Sequence, residues 1–286
     1  MERKKTLGLF CCIVLIGFGF ALHGNIGLYF NLAAFFIVVG GTLGATLISF
    51  RTKRLSILWD ILRASNKPIK EPDEIVEILI DLSVKSKLRG LLSLQEDEGE
   101  TSILFLRRAL GFVVDGYPAE EIRDILVTEM SFFKARREES ERVLRTMAEI
   151  CPSFGLVGSV VGLIGMLSGI GDTSIILATI PVALTSTLYG VIFSNFFLLP
   201  FAANVRERTN QELLLQKIIL EGVLAIQNEL NPRILEVKLK SFLTPSSRNV
   251  KLVSIERIRE KFNIKPGPGS GSHIAKPPIR LSKARI

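Results

Sequence analysis

Four apolar runs interrupt a chain that is charge-rich elsewhere: residues 7–22, 27–50, 153–171 and 177–200. Each approaches the roughly 20 residues that a helix needs to cross a bilayer. The first pair is separated only by His23 to Ile26 and the second by a short turn at Gly171-Asp172-Thr173-Ser174, so each pair predicts a transmembrane hairpin. Between the hairpins the rhythm becomes that of soluble helices. Ile75, Ile78, Leu79 and Leu82 recur at helical spacing within Glu74–Leu92, behind a Pro72-Asp73 start signal. A second helix is expected over Ile103–Val114, closed by Asp115-Gly116-Tyr117-Pro118, and a third from Ala119 to about Ile150. That third helix runs on toward Pro152, so the third span is expected to project from the membrane as one long rod. The amphipathic stretch Asn204–Asn231 would extend the fourth span in the same way. The predicted fold class is all-α: a polytopic membrane protein with four transmembrane helices and a helical cytoplasmic domain. Its divisions are 1–50 with spans one and two, 51–150 as the cytoplasmic helices, 151–205 with spans three and four, 206–245 as a helical extension, and 246–286 as a basic tail. Within the tail, residues 266–272 form a flexible linker by composition.

The last two spans gather their small residues on one face. Gly155, Gly158, Gly162, Gly165 and Gly169 recur at alternating spacings of three and four, which places them in one stripe with Ser159 on its edge. Ala183, Ser186, Thr187, Gly190 and Ser194 form a matching stripe on the fourth span. Small residues let membrane helices approach closely, so both stripes read as packing seams; the hydroxyls equally suit the lining of a wet path. Gly40, Gly41 and Gly44 mark another possible close contact in the second span.

Composition supports the membrane reading. The chain has 286 residues, 48% of them hydrophobic, and a mean hydropathy of +0.36, more apolar than an ordinary soluble domain. The net charge of +8 could point to nucleic acid, but the basic residues flank the apolar runs and fill the tail, as membrane anchors do. Nucleic acid is therefore set aside as a partner, and membrane lipid is expected as one. Lys4 and Lys5 precede the first run, Arg51, Lys53 and Arg54 follow the second, and Arg206 and Arg208 follow the fourth. The two short turns hold no Lys or Arg. By the positive-inside rule, both termini and the long middle segment are expected to be cytoplasmic.

Catalytic chemistry is missing. Cys11, Cys12 and Cys151 lie in or beside apolar runs, and His23 and His273 stand alone, so no metal set or disulfide framework is expected. No nucleotide loop or nucleophile-base pair occurs, so the chain is not expected to be an enzyme or to hold a cofactor. None of the four spans holds an ionisable group of full charge. Ion carriers keep such a group in the membrane because it is costly there and retained for work. Ser159, Ser186, Thr187, Ser194 and Asn195 can solvate a cation or bond water. If the chain conducts ions, a partner chain has to supply the titrating group.

The stretch Pro152-Ser-Phe-Gly-Leu-Val-Gly-Ser-Val-Val-Gly-Leu-Ile-Gly-Met-Leu resembles the third span of the MotA family, the flagellar motor stator subunits. Pro181-Val-Ala-Leu-Thr-Ser-Thr-Leu-Tyr-Gly through Pro200 resembles the fourth. Gly40-Gly41-Thr-Leu-Gly-Ala-Thr fits the second span, and Gly90-Leu-Leu-Ser-Leu with Val113-Val-Asp-Gly116 fits the cytoplasmic loop. The resemblance covers roughly residues 5 to 230. It implies a homo-oligomeric ring, typically of five subunits, in the bacterial inner membrane around a MotB-type single-span protein that carries the ion-binding aspartate. Ion flow would then drive torque on a rotor switch-complex protein, for motility and chemotaxis. By position, the resemblance assigns an ion pathway to Ser159, Ser186, Thr187, Pro152, Pro200 and Tyr189, and a rotor interface to Lys87, Arg89, Glu96 and Glu98. The family's usual Glu after Leu-Leu-Ser-Leu is Gln95 here, followed by Glu96, Asp97 and Glu98. Ser159 stands where sodium-type members carry Thr, so the expected ion is the proton, with sodium as the alternative. An ExbB- or TolQ-like energiser of outer-membrane transport and a scaffold without an ion path stay open as rivals.

Overall fold

The computed structural model describes residues 26–51, 70–101 and 103–243, with residue 14 and residues 17–19 besides. The rest of the first apolar run, the turn at His23, Lys53 and Arg54, and the basic tail lie outside the described residues. All regular structure among the described residues is helical. Among the described residues, three helices are long and apolar enough to cross a membrane: α1 (Leu32–Ser49), α5 (Ala119–Ser168) and α6 (Thr173–Gln227). The shorter helices are α2 (Pro72–Arg89), α3 (Gln95–Glu100), α4 (Leu104–Val114) and α7 (Pro232–Lys240). These residues pack as two units, one containing 129–213 with α1, the other containing 70–128 with the chain from 214 onward. The division between the units falls inside α5, between residues 128 and 129, and inside α6, between residues 213 and 214.

In the first unit, α1 begins where Asn31 accepts a bond from the Ala34 amide, satisfying a donor that the helix start leaves open. Inside it, Phe36–Gly40 forms a π turn. Thr42 and Thr46, both buried, donate their hydroxyls to Val38 O and Thr42 O, each at 2.6 Å, so neither needs a partner in another helix. Of the three glycines of this span, only Gly41 meets another helix, lying under the Phe154 ring; around Gly40 and Gly44 the described chain leaves open space. The α5–α6 turn rests on Gly171, whose φ of +106° suits glycine, and on Asp172, which caps α6. Just past the spans, Val143 and Leu144 of α5 pack with Ala202 and Val205 of α6, joined by Phe50, Met147 and Leu198. In each span only 22% of the most apolar window is buried. The rest presents Leu156, Val160, Ile164, Leu177 and Leu184 outward, a surface suited to lipid or neighbouring helices and not to water.

The second unit has an ordinary aliphatic core. Pro72 opens α2 with its missing N–H at a position that has no helical acceptor, and Asp73 and Glu74 sit near the positive end of the helix. Ile75, Val76, Leu79 and Ile80 are then buried on one face. The helix stops at Gly90, whose φ of +81° turns the chain into a 3₁₀ segment, Leu91–Leu94. Leu106 and Leu110 of α4, Ile122 and Leu126 of α5, Ile218 and Ile226 of α6, and Leu235 and Leu239 of α7 complete the core. Fully burying a side chain of this size contributes about 2 kcal/mol. Asn231 caps α7, with Pro232 following it at the first helical position.

Candidate functional site

Close packing of α5 on α6 builds the site. At Gly162 an added Cβ would lie 2.6 Å from Ala183 N, and at Gly190 one would lie 3.0 Å from Cys151 O. Backbone therefore meets backbone along the seam, and short side chains reach across it. Ser159 Oγ lies 2.5 Å from Ala183 O and 2.5 Å from Thr187 Oγ1, with its own Gly155 O at 3.2 Å. A hydroxyl has one proton and two lone pairs. Ser159 donating to Ala183 O can accept from Thr187, which joins the two hydroxyls into a chain. The contact also depends on Ala183 O accepting a bond from outside its own helix.

The other pathway residues take different positions. Ser186, fully buried, donates to Val182 O of its own helix at 2.7 Å and lies against Gly158; its hydroxyl is not part of the Ser159–Thr187 pair. Tyr189 donates to Tyr29 O at 2.5 Å and accepts from Asn31 N at 2.9 Å. Its phenol thus secures the start of α1, beside a Phe35–Phe193 edge contact with ring centroids 5.9 Å apart. Pro152 lies within α5, where its lack of an N–H deprives Ala148 O of a helical donor. Ser194 of α6 supplies the replacement, donating to Ala148 O at 2.7 Å in a buried bond. Pro200 is exposed and follows a π turn, Phe193–Leu198. A widened turn accommodates a proline ring that would crowd the carbonyl of Phe196.

No group of three or more His, Cys, Asp or Glu gathers among the described residues. Asp172, in the exposed turn, has its carboxyl drawn below the usual aspartate range by the Ser174 hydroxyl and then by the Ser174 amide. It is consumed as a helix cap.

The charges at the end of α2 divide into two kinds. Lys87, Arg89 and Glu96 are exposed, while Glu98 is half-buried with its carboxylate against Gly111. Lys85, absent from the residues singled out by sequence, makes the tie between α2 and α3. Its ammonium lies 2.7 Å from Asp97 and 3.2 Å from Glu96, with the side chain only 13% exposed. The Asp97 hydrogen bond, aided by Glu96, holds this lysine above its ordinary pKa range against the opposing effect of burial. Only the turn at Gly90 brings these residues together, so no local spacing signals the pair. Ser194 and Asn31 were equally illegible as partners of Ala148 and Tyr189.

Residues 97–217 match the MotA/TolQ/ExbB proton channel family. Motility protein A of Borreliella burgdorferi is 33% identical over 239 residues, covering 82% of this chain and 91% of that protein. The chain belongs to the MotA/TolQ/ExbB family. Among solved structures, this MotA-type chain is similar to the C. jejuni MotAB structure, with a TM-score of 0.81, 26% identity, and coverage of 89% of this chain and 100% of that one. It is also similar to the flagellar MotAB stator complex from Bacillus subtilis, with a TM-score of 0.78, 28% identity, and coverage of 85% and 96%. Near-complete coverage of these relatives means that the MotA likeness takes in the spans and the cytoplasmic helices alike.

Proposed function

We propose that this chain is a stator subunit of the flagellar motor, a non-enzymatic inner-membrane protein that works with a MotB-type single-span partner to couple proton flow to torque. The observation that carries the reading is the Ser159–Thr187 hydroxyl pair, bonded across a backbone-to-backbone seam in a chain of this family. The sequence holds hydroxyls on that path but no carboxylate in its apolar runs, so the partner supplies the aspartate that takes up the ion. A ring of five such subunits would surround the partner. Both termini and the 51–150 segment lie in the cytoplasm by their Lys and Arg placement. There Lys87, Arg89, Glu96 and Glu98 face the rotor protein, with Lys85 holding Glu96 in register. Such exposed charges act through steering and register more than through affinity.

The proton is favoured over sodium because the two hydroxyls already bond one another and a carbonyl. A hydrogen-bonded chain relays protons as it stands, whereas a sodium ion would have to part it. Swimming speed at fixed pH is expected to be the same with and without sodium; strict sodium dependence would refute the proton assignment. Thr187→Ala is expected to cut swimming speed severalfold while membrane insertion and co-purification with the single-span partner persist. Unchanged swimming would remove Thr187 from the path.

A further inference from the structure

Where α5 and α6 leave the membrane, the first unit holds an open cavity of about 560 Å³ between them. It is lined by four cations, Lys134, Arg142, Arg145 and Arg206, and by two carboxylates, Glu138 and Glu141. The carboxylates are already engaged. Glu141, whose side chain is only 15% exposed, lies 2.9 Å from Arg145 and 4.0 Å from Arg206. Glu138 lies 3.6 Å from Lys134. The nearby Glu212 is taken by Arg137 at 3.1 Å through both oxygens. Arg142 is exposed and pairs with no carboxylate among the described residues. Four positive charges against two negative leave the cavity with a surplus of two, and Arg142 without a counter-charge.

Its level along the helices points to the occupant. Arg206 is the first charged residue after the fourth apolar run, and Arg145 precedes Cys151 by less than two turns, about 9 Å of helix. The headgroup layer on each side of the hydrocarbon core is about 6–7 Å deep. The nearest cavity arginines, Arg145 and Arg206, therefore stem from just beyond the headgroup layer, within reach of it for side chains of their length, with Lys134 at the far end of the cavity. Planar guanidinium groups bind phosphate in pairs. We infer that this cavity takes a phosphate-bearing anion at Arg142, Arg145 and Arg206, and that its source is a phospholipid headgroup of the adjoining leaflet. The inference rests on the membrane-spanning reading of α5 and α6 and not on ion flow or torque, so failure of either leaves the other standing.

The test uses the full-length chain in non-ionic detergent, titrated separately with phosphatidylglycerol and with glycerol 1-phosphate, with bound species counted by native mass spectrometry. Wild-type protein is expected to retain phosphatidylglycerol. Arg142→Gln and Arg206→Gln are each expected to weaken its binding about fivefold, and the double variant about 25-fold, as the loss of one or two cations beside an anionic lipid implies. Arg142→Lys should keep most of the binding. Arg123→Gln, an exposed arginine on the same helix but outside the cavity, should leave it unchanged. Glycerol 1-phosphate displacing the lipid at comparable concentration would support the phosphate site and reassign its source to a soluble anion. Absence of binding by wild type, or equal binding by wild type and the double variant, would overturn the proposal.

Discussion

In the seam between α5 and α6, glycine lies against main chain, and the polar contacts that cross it run from hydroxyls to carbonyls and to one another. In the second unit, Leu79, Leu106, Leu110, Ile218 and Leu235 fill the same kind of space with branched side chains. Solvent explains the difference. Water drives aliphatic side chains together, so the soluble unit gains by burying them. Lipid exerts no such drive, and membrane helices gain from close van der Waals contact and satisfied polar groups. The seam is therefore intolerant of added volume, and the soluble core is intolerant of lost volume. A seam built of short side chains also leaves the Ser159 and Thr187 side chains half-buried and buries Ser186 and Ser194.

The largest expected effect breaks the seam. Gly162→Leu would drive a side chain into the Ala183 backbone, where no rotamer change gives relief, and should cost about 3 kcal/mol or more. Swimming should cease while the chain still fractionates with the membrane, since insertion precedes helix packing. Wild-type swimming in this variant would mean that the helices do not touch there. A smaller loss is expected from the opposite change in the soluble core. Leu79→Ala, at a side chain with no exposure that abuts Gly222, should cost about 3 kcal/mol and lower the thermal unfolding temperature of the purified full chain. Smallest is Ser194→Ala, which deprives Ala148 O of its cross-helix donor and should cost about 1–2 kcal/mol. Restoring an N–H by Pro152→Ala in the same chain should recover part of that loss. Equal thermal stability of single and double variants would show that the proline and the serine are not coupled.

The apolar runs after residue 26 and the soluble helices could be read directly from the sequence, because length, periodicity and caps are local properties. The expected start of α2 falls within two residues of the observed one, and that of α4 within one. The glycine stripe was legible for the same reason, since helical spacing alone puts its members on one face. The partners were not legible. The resemblance assigned Ser159, Ser186, Thr187, Tyr189, Pro152 and Pro200 to one pathway without saying which hydroxyls bond; the structure pairs Ser159 with Thr187, returns the Ser186 hydroxyl to its own helix and sends Tyr189 to the start of α1. Sequence named Lys87 and Arg89 and passed over Lys85, because a salt bridge across eleven or twelve residues depends on a turn at Gly90 whose outcome periodicity does not encode.

Sequence alone determined that this is a helical membrane protein without an Asp, Glu, Lys, Arg or His in its spans. That follows from the cost of charge in lipid and needs no coordinates. Only the tertiary structure decided which hydroxyls meet, which carbonyl Pro152 leaves for Ser194, and which lysine ties α2 to α3. Such contacts join residues 11 to 46 positions apart, and a hydrogen bond exists only when packing brings its atoms to within about 3 Å.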